Sequence, residues 1–173
     1  MPLQSFKRVL LQRDRDLFDT LRAAHWPTIC EQMCTEAPTP QLSALLRTRW
    51  AVSGERMRTE TANDELLARA LRAWLPKYQG PDQVLFRGES VERYRAGKLG
   101  FCWSTQRETG EMFGSGLHAA FPDGGCLLQC TVHKAAILAE PNSHSRWMGE
   151  EEYVVDPKML HGVIVVERYP DSR

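Results

Sequence analysis

The apolar pattern of this chain changes period at the segment QGPDQ, residues 79–83, and that change limits the folds open to it. Before it, apolar residues recur at spacings of three and four, the signature of helices buried along one stripe. RDRDLFDTLRAAHW carries Leu17, Phe18, Leu21 and His25 at that spacing and is expected to stop at Pro27. TPQLSALLRTRW offers Thr39 as a cap and Pro40 at the first helical position, with Leu42, Leu45, Leu46 and Trp50 on one side. NDELLARALRAWLP has Asn63 as a cap, acids in its first turn, a stripe of Leu66, Leu67, Ala70, Leu71 and Trp74, and Pro76 as a stop. After QGPDQ come short apolar runs between glycine, proline and polar clusters: QVLFRG, KLGFCWST, GGCLLQCTVH, EEYVVDP and HGVIVVERYP. These read as strands, with room for a short helix at RETGEMFG. Helices first and strands afterwards indicate an α+β fold and not a βαβ repeat. The expected organisation is one domain over residues 1–173, helical over 1–79 and strand-rich over 80–173.

Charge narrows the function classes. Twenty-two basic residues balance twenty-two acidic ones and both signs are interspersed, so no block advertises nucleic acid. No apolar run is long enough to span a bilayer. The opening MPLQSFKRVLLQRDRD lacks the apolar core and small-residue cleavage site of a secretory signal, so a cytosol is the expected compartment, including that of a target cell reached by delivery. The five cysteines are then expected as reduced thiols. Cys30/Cys34 and Cys126/Cys130 share a four-residue offset, but that offset is looser than a zinc knuckle, and no metal is expected.

Three places in the strand-rich half carry more polar detail than packing requires. In LFRGES, Arg87 and Gly88 end an apolar strand, where a guanidinium suits phosphate or carboxylate contacts and a glycine lets something approach the backbone. In GFCWSTQRETGEMF, Ser104 and Thr105 finish an aromatic-rich strand, either capping the following helix or facing a cleft. In MGEEEYVVDP, three glutamates precede an apolar run. If that chain is extended, Glu150 and Glu152 share a face and Glu151 takes the other, which brings two carboxylates together and raises a pKa. Each place also has a plainer reading: a charged turn, a helix cap, a solvated strand entrance.

Taken in order, Arg-Gly at a strand end, aromatic-Ser-Thr at a strand end and Glu-x-Glu before an apolar strand resemble the mono-ADP-ribosyltransferase family. More narrowly, they look like the arginine-serine-glutamate branch of the cholera and clostridial toxins. The resemblance spans Val84 to Glu167. It departs from the family at WSTQ, where glutamine stands in place of the last serine of Ser-Thr-Ser. Only an ending on Glu152 gives Glu-x-Glu, since Gly149 stands where a pair ending on Glu151 would need its partner.

The resemblance implies a mainly antiparallel two-sheet core and NAD⁺ consumed as co-substrate, with ADP-ribose transferred to an acceptor protein. It assigns Glu152 to the nicotinamide ribose and its developing cation, and Glu150 to the acceptor. Arg87 would hold the phosphate-ribose portion and Ser104 would position ribose or Glu152. The Gly88 backbone would face the nicotinamide amide, and Thr105 would support the strand end. Phe113 is expected to stack on nicotinamide, with Trp103 and Phe121 as competitors. A glutamate at position 150 favours an arginine acceptor, met by the EPNSHSRWMG segment with Trp147 as a contact or merely a rim residue. The absence of a Gly-x-Gly-x-x-Gly run disfavours dehydrogenase use of NAD⁺. Two alternatives stay open in the enzyme class, NAD⁺ glycohydrolase and a nucleic-acid-modifying transferase. A third is a catalytically silent binding module of the same fold.

Overall fold

The computed structural model describes residues 2–12, 18–21 and 23–172. It divides into two compact units, Met1–Lys77 and Tyr78–Arg173, and the change of texture in the sequence lies beside that boundary.

The first unit is helical. Helix α1, Pro2–Gln12, buries Leu3, Phe6, Val9 and Leu10. Phe6 meets Trp26 edge-on, with ring centroids 5.4 Å apart. Of the expected stripe over 13–26, Phe18 and Leu21 are buried, while Leu17 lies outside the described residues. Pro27 does not end a helix there. After a 3₁₀ turn at Ala23–His25 it sits in the first turn of α2, Trp26–Thr35, where a missing N–H costs nothing because that turn has no acceptor for it.

Helix α3, Pro40–Thr61, starts as its sequence indicates, with Thr39 Oγ1 accepting from the Leu42 amide at 3.2 Å. Helix α4, Asp64–Trp74, starts with Asn63 Oδ1 accepting from the Leu66 amide at 3.0 Å, and the chain is extended by Leu75. Trp74 ties the unit together, its indole donating to the Glu36 carbonyl at 2.7 Å while its own carbonyl accepts from Ser43 at 2.6 Å. Among the described residues no helix is long and apolar enough to cross a membrane.

The second unit is built on strands β1 (Gln83–Ser90), β2 (Cys102–Ser104), β3 (Gly125–Val132), β4 (Ile137–Ala139), β5 (Glu152–Val155) and β6 (Ile164–Tyr169). In place of the two sheets expected, they form a single sheet in the order β4-β5-β2-β1-β3-β6, with every paired neighbour antiparallel. The physical reason is the pairing of Phe86 with Ser104, which joins β1 to β2 and makes one sheet of two halves. That seam has one register pair, whereas β1 pairs with β3 along its whole length.

Strand alternation sorts the side chains. Leu85, Trp103, Cys126, Leu128, Cys130, Ile137 and Val155 form the core of one face. On the other face lies helix α6, Arg107–Ser115, placed where the sequence left room for a short helix. A shorter helix, α5 (Val91–Arg95), follows β1 directly.

Helix α6 approaches the sheet closely enough to require glycine. A Cβ on Gly88 would overlap the Gly114 nitrogen and the Gly110 carbonyl oxygen, and would lie 2.8 Å from the Phe113 carbonyl carbon. All three are backbone atoms and cannot rotate away. We therefore expect Gly88→Ala to lower the free energy of unfolding by about 1–3 kcal/mol, the usual cost of overpacking, as read by urea denaturation.

Candidate functional site

The three polar places, distant in sequence, come from three neighbouring strands, β1, β2 and β5. Ser104 pairs with Phe86 on one side and with Glu152 on the other. Residues directly opposite in antiparallel strands share a face, so Phe86, Ser104 and Glu152 form a row on the face that carries α6.

Ser104 is 4% exposed and its hydroxyl serves two backbones. It donates to the Glu150 carbonyl at 2.5 Å and accepts from the Gln106 amide at 2.9 Å. The second bond braces the entry to α6, where Gln106 supplies no side-chain cap of its own. The serine thus steadies the helix start, and its hydroxyl also ties β2 to the backbone of the glutamate segment. Thr105, half-buried, follows the strand end.

The glutamates are reached differently from the expected extended chain. Helix α7, Ser143–Trp147, ends in a turn in which Gly149 has φ +73° and Glu151 φ +44°. Only Glu152 belongs to a strand, so the face alternation argued for Glu150 and Glu152 does not apply. A left-handed residue at 151 makes the turn instead.

The two carboxylates are nonetheless close enough to interact. Burial, and then the charge of Glu152, push the Glu150 pKa up, while His144 pulls it down. Ser145, which the sequence reading passed over, is 1% exposed and accepts the Glu152 amide at 2.6 Å. Its own amide donates to Asn142 Oδ1 at 2.9 Å. Two serines thus hold the turn, Ser104 at the Glu150 carbonyl and Ser145 at the Glu152 amide.

Arg87 lies one residue beyond Phe86, and register turns it to the opposite face from Ser104 and Glu152. Its guanidinium, 15% exposed, reaches across the seam. Nη1 donates to the Cys102 carbonyl at 2.7 Å, and Nε and Nη2 lie 3.0 and 2.9 Å from Glu89 Oε2. Gly100 makes room, since a Cβ there would overlap the guanidinium.

Glu89 is the main feature missed in the sequence. It is 0% exposed, accepts from the Ser90 amide at 3.1 Å, and lies 3.3 Å from Arg93 Nε and 3.8 Å from His118 Nδ1. Burial works to raise its pKa, but the charges of Arg87, Arg93 and His118 outweigh burial and hold it below the ordinary glutamate value. Alternation along β1 was the available signal, because residues 87 and 89 of a strand share a face.

Of the aromatic candidates, Trp103 is buried in the core of the other face with its indole donating to the Gly100 carbonyl at 3.0 Å. Phe113 is half-buried on α6, with its backbone against Gly88. Phe121 is exposed beside His118, with ring centroids 6.1 Å apart. Trp147 is 79% exposed and stacked on His144, at 6.1 Å and 25°. Cys126 and Cys130 are buried free thiols on β3, and burial pushes Cys126 up to about 11.

A raised carboxyl pKa in the folded state has a definite sign for stability. The folded protein holds a proton more tightly than the unfolded chain, so Glu150 loses stability for the fold as pH rises through its folded pKa. Glu150→Gln removes that loss and leaves the backbone bond to Ser104 in place. The melting temperature of Glu150→Gln should exceed that of the parent at pH 7. The difference should vanish below about pH 4, under the ordinary glutamate value, as read by thermal unfolding across pH. The chain matches no protein-family model, no curated protein and no solved structure.

Proposed function

We propose that the second unit is an ADP-ribosyltransferase-like domain and that the chain is a mono-ADP-ribosyltransferase of the arginine-serine-glutamate branch, using NAD⁺ as the consumed substrate. The observation that carries this reading is the row across β1, β2 and β5. It sets Ser104 directly opposite Glu152 on neighbouring strands, with β1 and its Arg-Gly step on the far side of Ser104, and Ser104 is bonded to the glutamate turn.

The chemistry is substitution at the anomeric carbon of the nicotinamide ribose. The carbon–nitrogen bond breaks with its electron pair going to the pyridinium nitrogen, and neutral nicotinamide leaves. Positive charge then spreads over the ribose carbon and ring oxygen. A fixed carboxylate at that point lowers the barrier, as in glycoside cleavage, and Glu152 is that carboxylate. It is held in place by the bond from its amide to Ser145 and by its register opposite Ser104.

The acceptor nitrogen forms the new bond to the anomeric carbon and gives up a proton. Glu150 takes that proton, and its raised pKa makes it a stronger base than an exposed glutamate. An arginine side chain suits this site because its guanidinium is attracted to the paired carboxylates. Trp147, exposed in the segment before the pair, offers the acceptor protein a flat surface. Of the other residues the resemblance assigns, Phe113, half-buried on α6, stays as the candidate for the nicotinamide end, whereas Arg87 is turned to the opposite face of the sheet and Gly88 is packed under α6.

Nicotinamide release from NAD⁺, with an arginine-containing acceptor present or absent, tests this reading. Glu152→Gln should lower release by about 10²–10³-fold, the size of losing one preorganised electrostatic contact. Glu150→Gln should lower transfer to arginine by about 10²-fold or more while release to water survives. Release by the parent without any transfer would favour the glycohydrolase. A parent that neither releases nicotinamide nor binds NAD⁺ would leave a binding module.

A further inference from the structure

The row that carries Ser104 and Glu152 does not end at Phe86. Phe86 pairs on its other side with Gln129 of β3, and Gln129 pairs with Ile164 of β6. Opposite residues share a face, so Glu152, Ser104, Phe86, Gln129 and Ile164 form one line across five strands. Phe86 and Gln129 are half-buried, and Ile164 is 55% exposed.

The far half of that line has a floor and a wall. Val84 and Thr131, opposite each other and further from α6, are exposed on the same face. Helix α6 stands on the other side of Phe86, where a Cβ on Gly110 would lie 3.3 Å from the Phe86 Cβ. Glu167, opposite Leu127 on this face, is engaged by Arg107 at 3.1 Å, and Arg107 is also held by Glu111 at 2.6 Å. Gln129 is not engaged in this way. Among the described residues its carboxamide has no hydrogen-bond partner, so its donor and its acceptor are left to water.

An aromatic face beside such an amide fits a planar nitrogen heterocycle that shows a donor next to an acceptor. The ring stacks on Phe86, and Gln129 bonds its edge in two places. Adenine has that edge, with N6 donating and N7 accepting. Distance decides which ring of a dinucleotide is meant. Neighbouring strands lie about 4.8 Å apart, so Gln129 stands about 14 Å from Glu152 along the line. A nicotinamide bonded to the carbon beside Glu152 cannot reach that far. The second base, two sugars and two phosphates away, can.

We propose that Phe86 and Gln129 form a binding site for an adenine base. The inference rests on the transferase reading for its natural ligand, the adenine end of NAD⁺, but the site needs no transfer chemistry to be detected.

The probes are AMP and IMP, titrated calorimetrically into the full chain. Neither carries nicotinamide, so binding is read apart from the reaction, and IMP has an acceptor oxygen where AMP has the N6 donor. The parent should bind AMP about tenfold or more tightly than IMP, the worth of the paired edge. Gln129→Leu should bring AMP down to the level of IMP. Phe86→Leu keeps apolar bulk without the ring face and should weaken both nucleotides about fivefold or more. The parent's own preference tests the site even if Phe86→Leu, at the seam, does not fold. No binding of AMP, equal binding of AMP and IMP by the parent, or an unchanged preference in Gln129→Leu would overturn the proposal. An adenine preference that needs Gln129, in a protein that releases no nicotinamide, would sustain this site and remove the transferase. Nicotinamide release by a protein without that preference would do the reverse.

Discussion

Two serine hydroxyls hold the glutamate turn against the sheet, and the site depends on them. A turn carrying three carboxylates has reasons to swing into water: the charges repel one another and burial opposes Glu150. Its backbone is also strained, because a left-handed non-glycine residue such as Glu151 costs on the order of 1–2 kcal/mol. Ser104 and Ser145 answer at both ends, one at the Glu150 carbonyl and one at the Glu152 amide. Each net bond contributes about 0.5–1.5 kcal/mol, so the two together offset the strain. The result is a pair of neighbouring glutamates whose backbones are fixed by two hydroxyls.

The seam between β1 and β2 is the second constraint. Register pairing stops at Phe86 and Ser104, and the Arg87 guanidinium fills the next position by bonding to the Cys102 carbonyl. An arginine tied there needs a buried counter-charge, which Glu89 supplies from the same strand. A buried carboxylate is stable only when its charge and lone pairs are met, and Glu89 has two arginines and a backbone amide. On the opposite face, Gly88, Gly110 and Gly114 bring α6 against β1 and β3. The strand that carries Arg87 is therefore held on both faces.

Much of this was legible in the sequence, and the misses have specific causes. The caps at Thr39 and Asn63 were readable because a cap is local chemistry, and the strand runs were readable because alternation and turn residues are local too. Pro27 misled because proline is compatible with both the end of one helix and the first turn of the next. The alternation of Glu150 and Glu152 failed because Gly149 and Glu151 both turn left-handed, and nothing in a glutamate announces that. The expected second sheet failed on one cross-strand pair, a contact between residues far apart in the chain. Glu89 was overlooked although its position two residues after Arg87 placed it on the same face. Arg93, four residues on, was a local partner as well, and only His118 arrives from a distant part of the chain.

The sheet also separates the charges. The carboxylate row faces the α6 side, and the guanidinium cluster begins one residue further along β1 on the other side. A ligand held on one face of this sheet therefore meets either the carboxylate row or the guanidinium cluster, not both. The strand between them is held by α6 against Gly88 on one side and by the Arg87–Glu89 pair on the other, so the two charged groups stay fixed in place while facing different surroundings.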